Sequence, residues 1–141
     1  MTQHLITATR RIEWDAAHRV LRHESKCASL HGHRYAAELT CVAEHGLDDV
    51  GRVIDFGVVK SIVGSWVDDH WDHTTLVNPH DSELLGWCQD QQKKGKRAPW
   101  IMEGEPTAEN IAATLMNVAN ALLISTGVRV VEVKVWETPN C

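Results

Sequence analysis

A chain of 141 residues is long enough for one hydrophobic core and short for an enzyme that encloses its substrate unaided. Its 14 basic and 19 acidic residues give a formal charge of -5, and its one concentrated basic run, Lys93-Lys94-Gly95-Lys96-Arg97, reads as a solvated loop, which argues against a nucleic-acid partner. No segment approaches a membrane span, Met1 to Thr9 lacks a signal peptide's apolar stretch, and four cysteines without a C-x-x-C pair read as free thiols, so a cytoplasmic protein without a membrane partner is expected.

From Leu5 to His18 the residues alternate, with Ile12, Trp14, Ala16 and His18 on one face, which predicts a first strand. A polar stretch, Leu21 to Leu30, carries Cys27 and leads through His31-Gly32-His33 into a second strand, Tyr35 to Ala43. Tyr35, Ala37, Leu39, Cys41 and Ala43 share the parity of the two histidines, whereas Arg34, Glu38, Thr40 and Glu44 take the other. His31 and His33 can therefore grip one metal ion together, and His18 on the neighbouring strand can add a third imidazole. Three neutral imidazoles around a divalent cation, with a position left open, describe a catalytic zinc site. A thiol beside such a cluster, Cys27, is favoured as thiolate and so equipped as base or nucleophile.

Further on, Asp55 can cap a helix with Phe56, Val59, Ile62, Val63, Trp66 and Val67 at helical spacing. At its end lies Asp72-His73, an acid that can orient an imidazole. Ser82 to about Gln92 can form a short helix, and Gly95 and Pro99 break the chain before Trp100-Ile101-Met102. A second long helix begins at Pro106-Thr107, with Thr107 as its cap, Glu109 in its first turn and an apolar stripe of Ile111, Leu115, Val118 and Leu122; Gly127 is placed to end it. Val131, Val133 and Val135 then alternate with Glu132, Lys134 and Trp136 in a strand, Val128 to Trp136, that leads to Glu137. Cys41 and Cys88 fall in apolar patterns and read as core. The order predicts a single α+β domain over 1–141, with two main helices on one face of an antiparallel sheet whose bare edges invite pairing between subunits.

In this order, Ala16-Ala17-His18-Arg19, Lys26-Cys27 with Leu30-His31-Gly32-His33, Val53-Ile54-Asp55-Phe56, Asp72-His73, Pro106-Thr107-Ala108-Glu109-Asn110 and Glu137-Thr138 resemble the 6-pyruvoyl-tetrahydropterin synthase family. The four-residue step from Cys27 to His31 is similar to the carboxy-forming branch, which serves queuosine and other 7-deazaguanine pathways. The resemblance implies zinc on His18, His31 and His33, Cys27 as proton-abstracting base, and Asp72 with His73 as proton relay. It also implies Glu137 as anchor of the pterin ring, with Thr107 and Glu109 beside the substrate, a pterin triphosphate. The implied architecture is the tunnelling fold, in which subunits join their sheets into a barrel and share active sites in a homohexamer. The competing readings are a pyruvoyl-forming synthase, a non-catalytic zinc- or pterin-binding relative, and a cupin, since Glu38 follows His31-Gly-His33 at cupin-like spacing. Strand parity turns Glu38 away from both histidines and argues against the last.

Overall fold

Alternation along the first two strands builds a long hairpin. Strand β1 (Ala8–His18) runs antiparallel to β2 (His31–Ala43), from Ala8 opposite Cys41 to His18 opposite His31. One face is apolar and buried, formed by Ile12, Trp14 and Ala16 with Tyr35, Ala37, Leu39 and Cys41. The other is charged and open, with Arg11 on Glu38 (3.2 Å) and Arg34 on Asp15 (3.0 Å). The computed structural model describes residues 4–141, so the first residues of the amino-terminal reading, and of the single domain expected over 1–141, lie outside the described residues.

Two strands beyond the predicted three complete the sheet. Strand β3 (Thr74–Val77) pairs with β1, strand β4 (Trp100–Ile101) pairs with β3, and β5 (Val128–Trp136) lies beside β2, giving the order β4-β3-β1-β2-β5. The expected antiparallel sheet is thus antiparallel in its three long strands and parallel at one edge, because helices carry the chain back before β3 and β4. Four and two residues are too few for alternation to announce a strand.

Helix α1 covers 56–70 and widens into a π-type turn at Lys60–Gly64; the Asp55 carboxylate accepts the Gly57 N–H at 2.7 Å as its cap. Helix α2 is Ser82–Lys93, and helix α3, Ala108–Leu123, is capped by the Thr107 hydroxyl, which accepts the Asn110 N–H at 3.2 Å. Both α1 and α3 pack on the apolar face, as expected, through Val59, Val63 and Val67 and through Ile111, Leu115, Ala119 and Leu123. The predicted Val118 and Leu122 are only half-buried, beside that stripe rather than in it. Val77, Leu84 and Cys88 form a second, smaller cluster between β3 and α2. The basic run is exposed, yet Arg97 is more than a solvated side chain: it donates to the carbonyls of Asp68 and Asp69 (2.9 and 2.8 Å) at the end of α1. Among the described residues, no helix is long and apolar enough to cross a membrane.

Strand β5 contains the one irregularity that matters for the site. Thr40 pairs with Glu132 and Cys41 with Val130, so Val131 is an extra, bulged residue. The side chain of Asn120 satisfies the bulge, accepting the Val130 N–H (2.8 Å) and donating to the Val130 carbonyl (3.1 Å). Parity therefore switches: Val128 and Val130 face the core before the bulge, and Val133 and Val135 face it after. The predicted alternation was right from Val133 onward, with Val131 as its misassigned member.

Candidate active site

The hairpin ends with His18 directly opposite His31 and with His33 two residues along the same face. Ring centroids are 4.7 Å apart for His18 and His31, 5.1 Å for His18 and His33, and 5.5 Å for His31 and His33. One nitrogen of each ring lies within 4.8 Å of the other two. Each Nδ1 meets a main-chain carbonyl: His18 that of Pro106 at 2.7 Å, His31 that of Ser29 at 2.8 Å, and His33 that of Arg34 at 3.0 Å. A carbonyl can only accept, so Nδ1 carries the proton in each ring and Nε2 keeps its lone pair. The Nε2 atoms of His18 and His33 then face each other at 3.2 Å with no proton between them, an arrangement that a cation relieves. His18 is 1% exposed, and burial pushes its pKa down against the opposing pull of the Pro106 carbonyl and Glu137; His31 and His33 lower it further. The chemistry of this donor set fits a divalent metal. Glu38 is bonded to Arg11 on the opposite face, which removes the cupin-like ligand.

Asp72 and His73 are brought together, but on another part of the sheet. His73 Nδ1 donates to Asp72 Oδ2 (2.9 Å), Asp72 Oδ1 accepts the Asp15 N–H (2.9 Å), and the His73 N–H donates to the Asp15 carbonyl (2.7 Å). These bonds hold His73 at φ 58°, a left-handed conformation uncommon outside glycine. Burial pushes the Asp72 carboxyl up, but the bonds from Asp15 and His73 outweigh it and hold it below its ordinary value. The His73 side chain is 70% exposed and lines, with Asp15, Ala17, Gly32 and His33, an open concavity of about 440 Å³ that Cys27 does not line. The Asp15 peptide thus orients the acid–imidazole pair within one chain.

Cys27 is half-buried in a short helical turn, Lys26–Ala28, and its carbonyl accepts the Val20 N–H at 2.9 Å. Glu137, the first residue after β5, brings Oε1 to 3.9 Å from His18 Nε2. Its parity is that of Val133 and Val135, so the bulge at Val131 lets the strand bury valines at both ends and still aim this carboxylate at the histidines. Tyr35 stacks on Trp14 (5.2 Å between centroids, 7° between planes) and lies against His33 (4.4 Å). Among the described residues its buried hydroxyl has no hydrogen-bond partner; burial first, then the charges of Glu137 and Cys27, push the phenol pKa up. Thr107 is occupied as the cap of α3, and Glu109 is exposed in the first turn. That motif reaches the ligands through the Pro106 carbonyl, for which no side-chain signal exists in a sequence. Tyr35 could have been singled out by its shared parity with the histidines.

A hairpin bearing three convergent imidazoles, with a carboxylate at the end of an adjoining strand and a separately held acid–imidazole pair, is a donor set compatible with a metal. The chain belongs to the 6-pyruvoyl tetrahydropterin synthase family, whose family model matches residues 7–141. The 6-carboxy-5,6,7,8-tetrahydropterin synthase of Rickettsia conorii is 41% identical over 138 residues, covering 97% of each chain. The enzyme of that name from Haemophilus influenzae is 28% identical over 136 residues, covering 93% of this chain and 92% of its own. Among solved structures, an uncharacterized protein of Wolinella succinogenes shares the fold with a TM-score of 0.80 at 20% identity, over 99% of this chain and 96% of that one. The Caenorhabditis elegans 6-pyruvoyl tetrahydropterin synthase does so with a TM-score of 0.65 at 18% identity, over 99% and 94%.

Proposed function

We propose that this protein is a 6-carboxy-5,6,7,8-tetrahydropterin synthase, a zinc-dependent carbon–carbon lyase acting on 7,8-dihydroneopterin triphosphate, with acetaldehyde and triphosphate as co-products. Its place is queuosine and 7-deazaguanine biosynthesis in the cytoplasm, in keeping with four free cysteines. The observation that carries this reading is the convergence of three Nε2 lone pairs with Glu137 at 3.9 Å, in a chain so similar to synthases of that name.

His18, His31 and His33 would hold the zinc, which when bound would supply Lewis acidity toward the side-chain hydroxyls of the substrate and so acidify the adjacent carbon. Cys27, as thiolate, takes the proton from that carbon. Glu137 accepts two parallel hydrogen bonds from the ring N–H and the amino group of the pterin, and Thr107 and Glu109, at the start of α3, border the substrate. His73, oriented by Asp72, hands protons on.

The acid–imidazole pair opens on a concavity that Cys27 does not line, and the relay is completed across a subunit contact, His73 of one chain serving Cys27 of the next. Open strand edges support such an assembly. Among the described residues, β5 is unpaired along its outer edge and β3 covers β1 only from Ala16 to His18. Joining these edges between copies closes the sheets into a barrel and gives a homohexamer with shared sites.

The test is to supply the purified, zinc-loaded protein with 7,8-dihydroneopterin triphosphate, trap acetaldehyde with a hydrazine and follow the pterin by mass spectrometry. The 6-carboxy product with acetaldehyde is expected. A 6-pyruvoyl product without acetaldehyde assigns the sister activity, and no turnover assigns a non-catalytic pterin-binding role.

A further inference from the structure

Little ties the loop that carries Cys27 to the body of the protein. Its internal bonds are local: the Val20 N–H to the Cys27 carbonyl (2.9 Å), the His23 N–H to the Val20 carbonyl (3.1 Å) and the Ser29 N–H to the Lys26 carbonyl (3.0 Å). Among the described residues, His31 at the start of β2 donates to the Ser29 carbonyl at 2.8 Å, and one side chain from beyond the hairpin hydrogen-bonds the segment 20–30. This is Glu105, whose Oε2 accepts the Leu21 N–H at 2.8 Å. The Glu105 side chain is 12% exposed, and its Oε1 is buried with no hydrogen-bond donor, the nearest cation being Arg22 Nε at 3.8 Å. A carboxylate buried this far is costly, so its retention calls for a role. The main chain of Glu105 is equally fixed: its carbonyl accepts the Thr107 N–H and Asn110 Nδ2, both at 2.9 Å, and the next carbonyl, that of Pro106, orients His18.

We propose that Glu105 is a positioning residue for the Cys27 thiol, its carboxylate fastening the base of the thiol's loop to the same turn that orients His18. Two bonds join the segments, His18 to Pro106 and Leu21 to Glu105, and from Leu21 the path to Cys27 is one peptide and one hydrogen bond long. Thiol and imidazoles thereby keep a fixed separation. The proposal rests on the reading of Cys27 as the base, for which a displacement of about 1 Å costs about a hundredfold in rate.

Three substitutions separate reach from charge. Glu105→Ala removes the acceptor, Glu105→Asp keeps the charge but shortens the reach, and Glu105→Gln keeps an acceptor oxygen at full reach. Two readouts are taken: iodoacetamide labelling of Cys27 by peptide mass spectrometry, referenced to the exposed Cys141 in the same molecules, and kcat with KM. Glu105→Ala and Glu105→Asp are expected to raise the Cys27 to Cys141 labelling ratio about threefold or more, as the loop opens. They are expected to lower kcat about thirtyfold with KM and metal content little changed, while Glu105→Gln returns both readouts toward the parent values. An unchanged labelling ratio in the Ala and Asp variants overturns the proposal, as does a Gln variant that behaves like Ala. If Glu105→Ala does not fold, Glu105→Asp carries the same test. Full turnover by Cys27→Ala would sink the functional reading instead, and the labelling ratio would still report on the loop.

Discussion

His18 donates its Nδ1–H to the carbonyl of Pro106 at 2.7 Å, a contact that spans 88 residues of sequence. It joins the end of β1 to the entry of α3, so the innermost ligand of the candidate metal site is aimed by the helix that fills the core. Orientation of the imidazole and packing of the domain are thus one structural problem.

Removal of either hairpin ligand tests the metal site. His31→Ala and His33→Ala are each expected to weaken zinc binding by about a hundredfold or more, with the circular dichroism spectrum unchanged. Metal analysis after dialysis checks this, and full zinc in both variants would place the ion elsewhere.

Cys27 and Glu137 are expected to fail in different ways. Cys27→Ala should keep zinc and pterin binding and lose about 10²–10⁴ in kcat, since the thiol acts on a proton in the transition state. Glu137→Gln should chiefly raise KM, because the carboxylate contacts the ring in ground and transition states alike. Steady-state kinetics on both variants distinguish the roles.

Asp81, 3% exposed, accepts two bonds from Arg19 at 2.6 Å and caps α2 through the Leu84 N–H. Asp81→Asn is expected to destabilise the fold by about 3 kcal/mol by leaving the part-buried Arg19 guanidinium with the exposed Glu83, at 3.7 Å, as its carboxylate. The Arg19 bonds hold the Asp81 carboxyl below its ordinary range, against burial. The native state therefore binds fewer protons than the unfolded one in acid; the contribution is whole above about pH 4 and is lost as pH falls toward the lowered folded value. Thermal melts from neutral pH downward should show a steeper acid loss in the parent than in Asp81→Asn, and parallel curves would remove this linkage.

The bulge in β5 gives a prediction of stability. Asn120→Ala strips both partners from the Val130 peptide and should cost about 2 kcal/mol in urea denaturation, whereas Asn120→Asp, which keeps the acceptor for the Val130 N–H, should cost less. Equal losses would show that the acceptor contributes nothing.

Light scattering at micromolar concentration should report a hexamer of 15.8 kDa chains. A monomer would leave His73 with no route to a neighbour's thiol and would sink the shared-site reading.

The convergence of the three histidines is legible because strand parity is a rule of side-chain direction: with β1 and β2 as strands, His18, His31 and His33 share the face of Trp14 and Tyr35. The same rule misplaced Val131, since a bulge adds a residue without changing composition. Strands β3 and β4 escaped because they are too short to alternate. Asp72 and His73 are recognisable as a pair in the sequence, but their placement depends on a left-handed backbone at His73 and on bonds to the Asp15 peptide. The supports of the three imidazoles were unreadable for a simpler reason: they are carbonyls.

That last feature bears on how the site can change over generations. Substituting Ser29, Arg34 or Pro106 alters a side chain and leaves the carbonyl that steadies each histidine in place. Ser29 and Arg34, both exposed, can therefore change without loosening an imidazole, whereas Pro106 is buried and is held by packing as well. A change in how the imidazoles converge has no such easy route, for it must come by replacing a histidine outright or by rerouting the backbone.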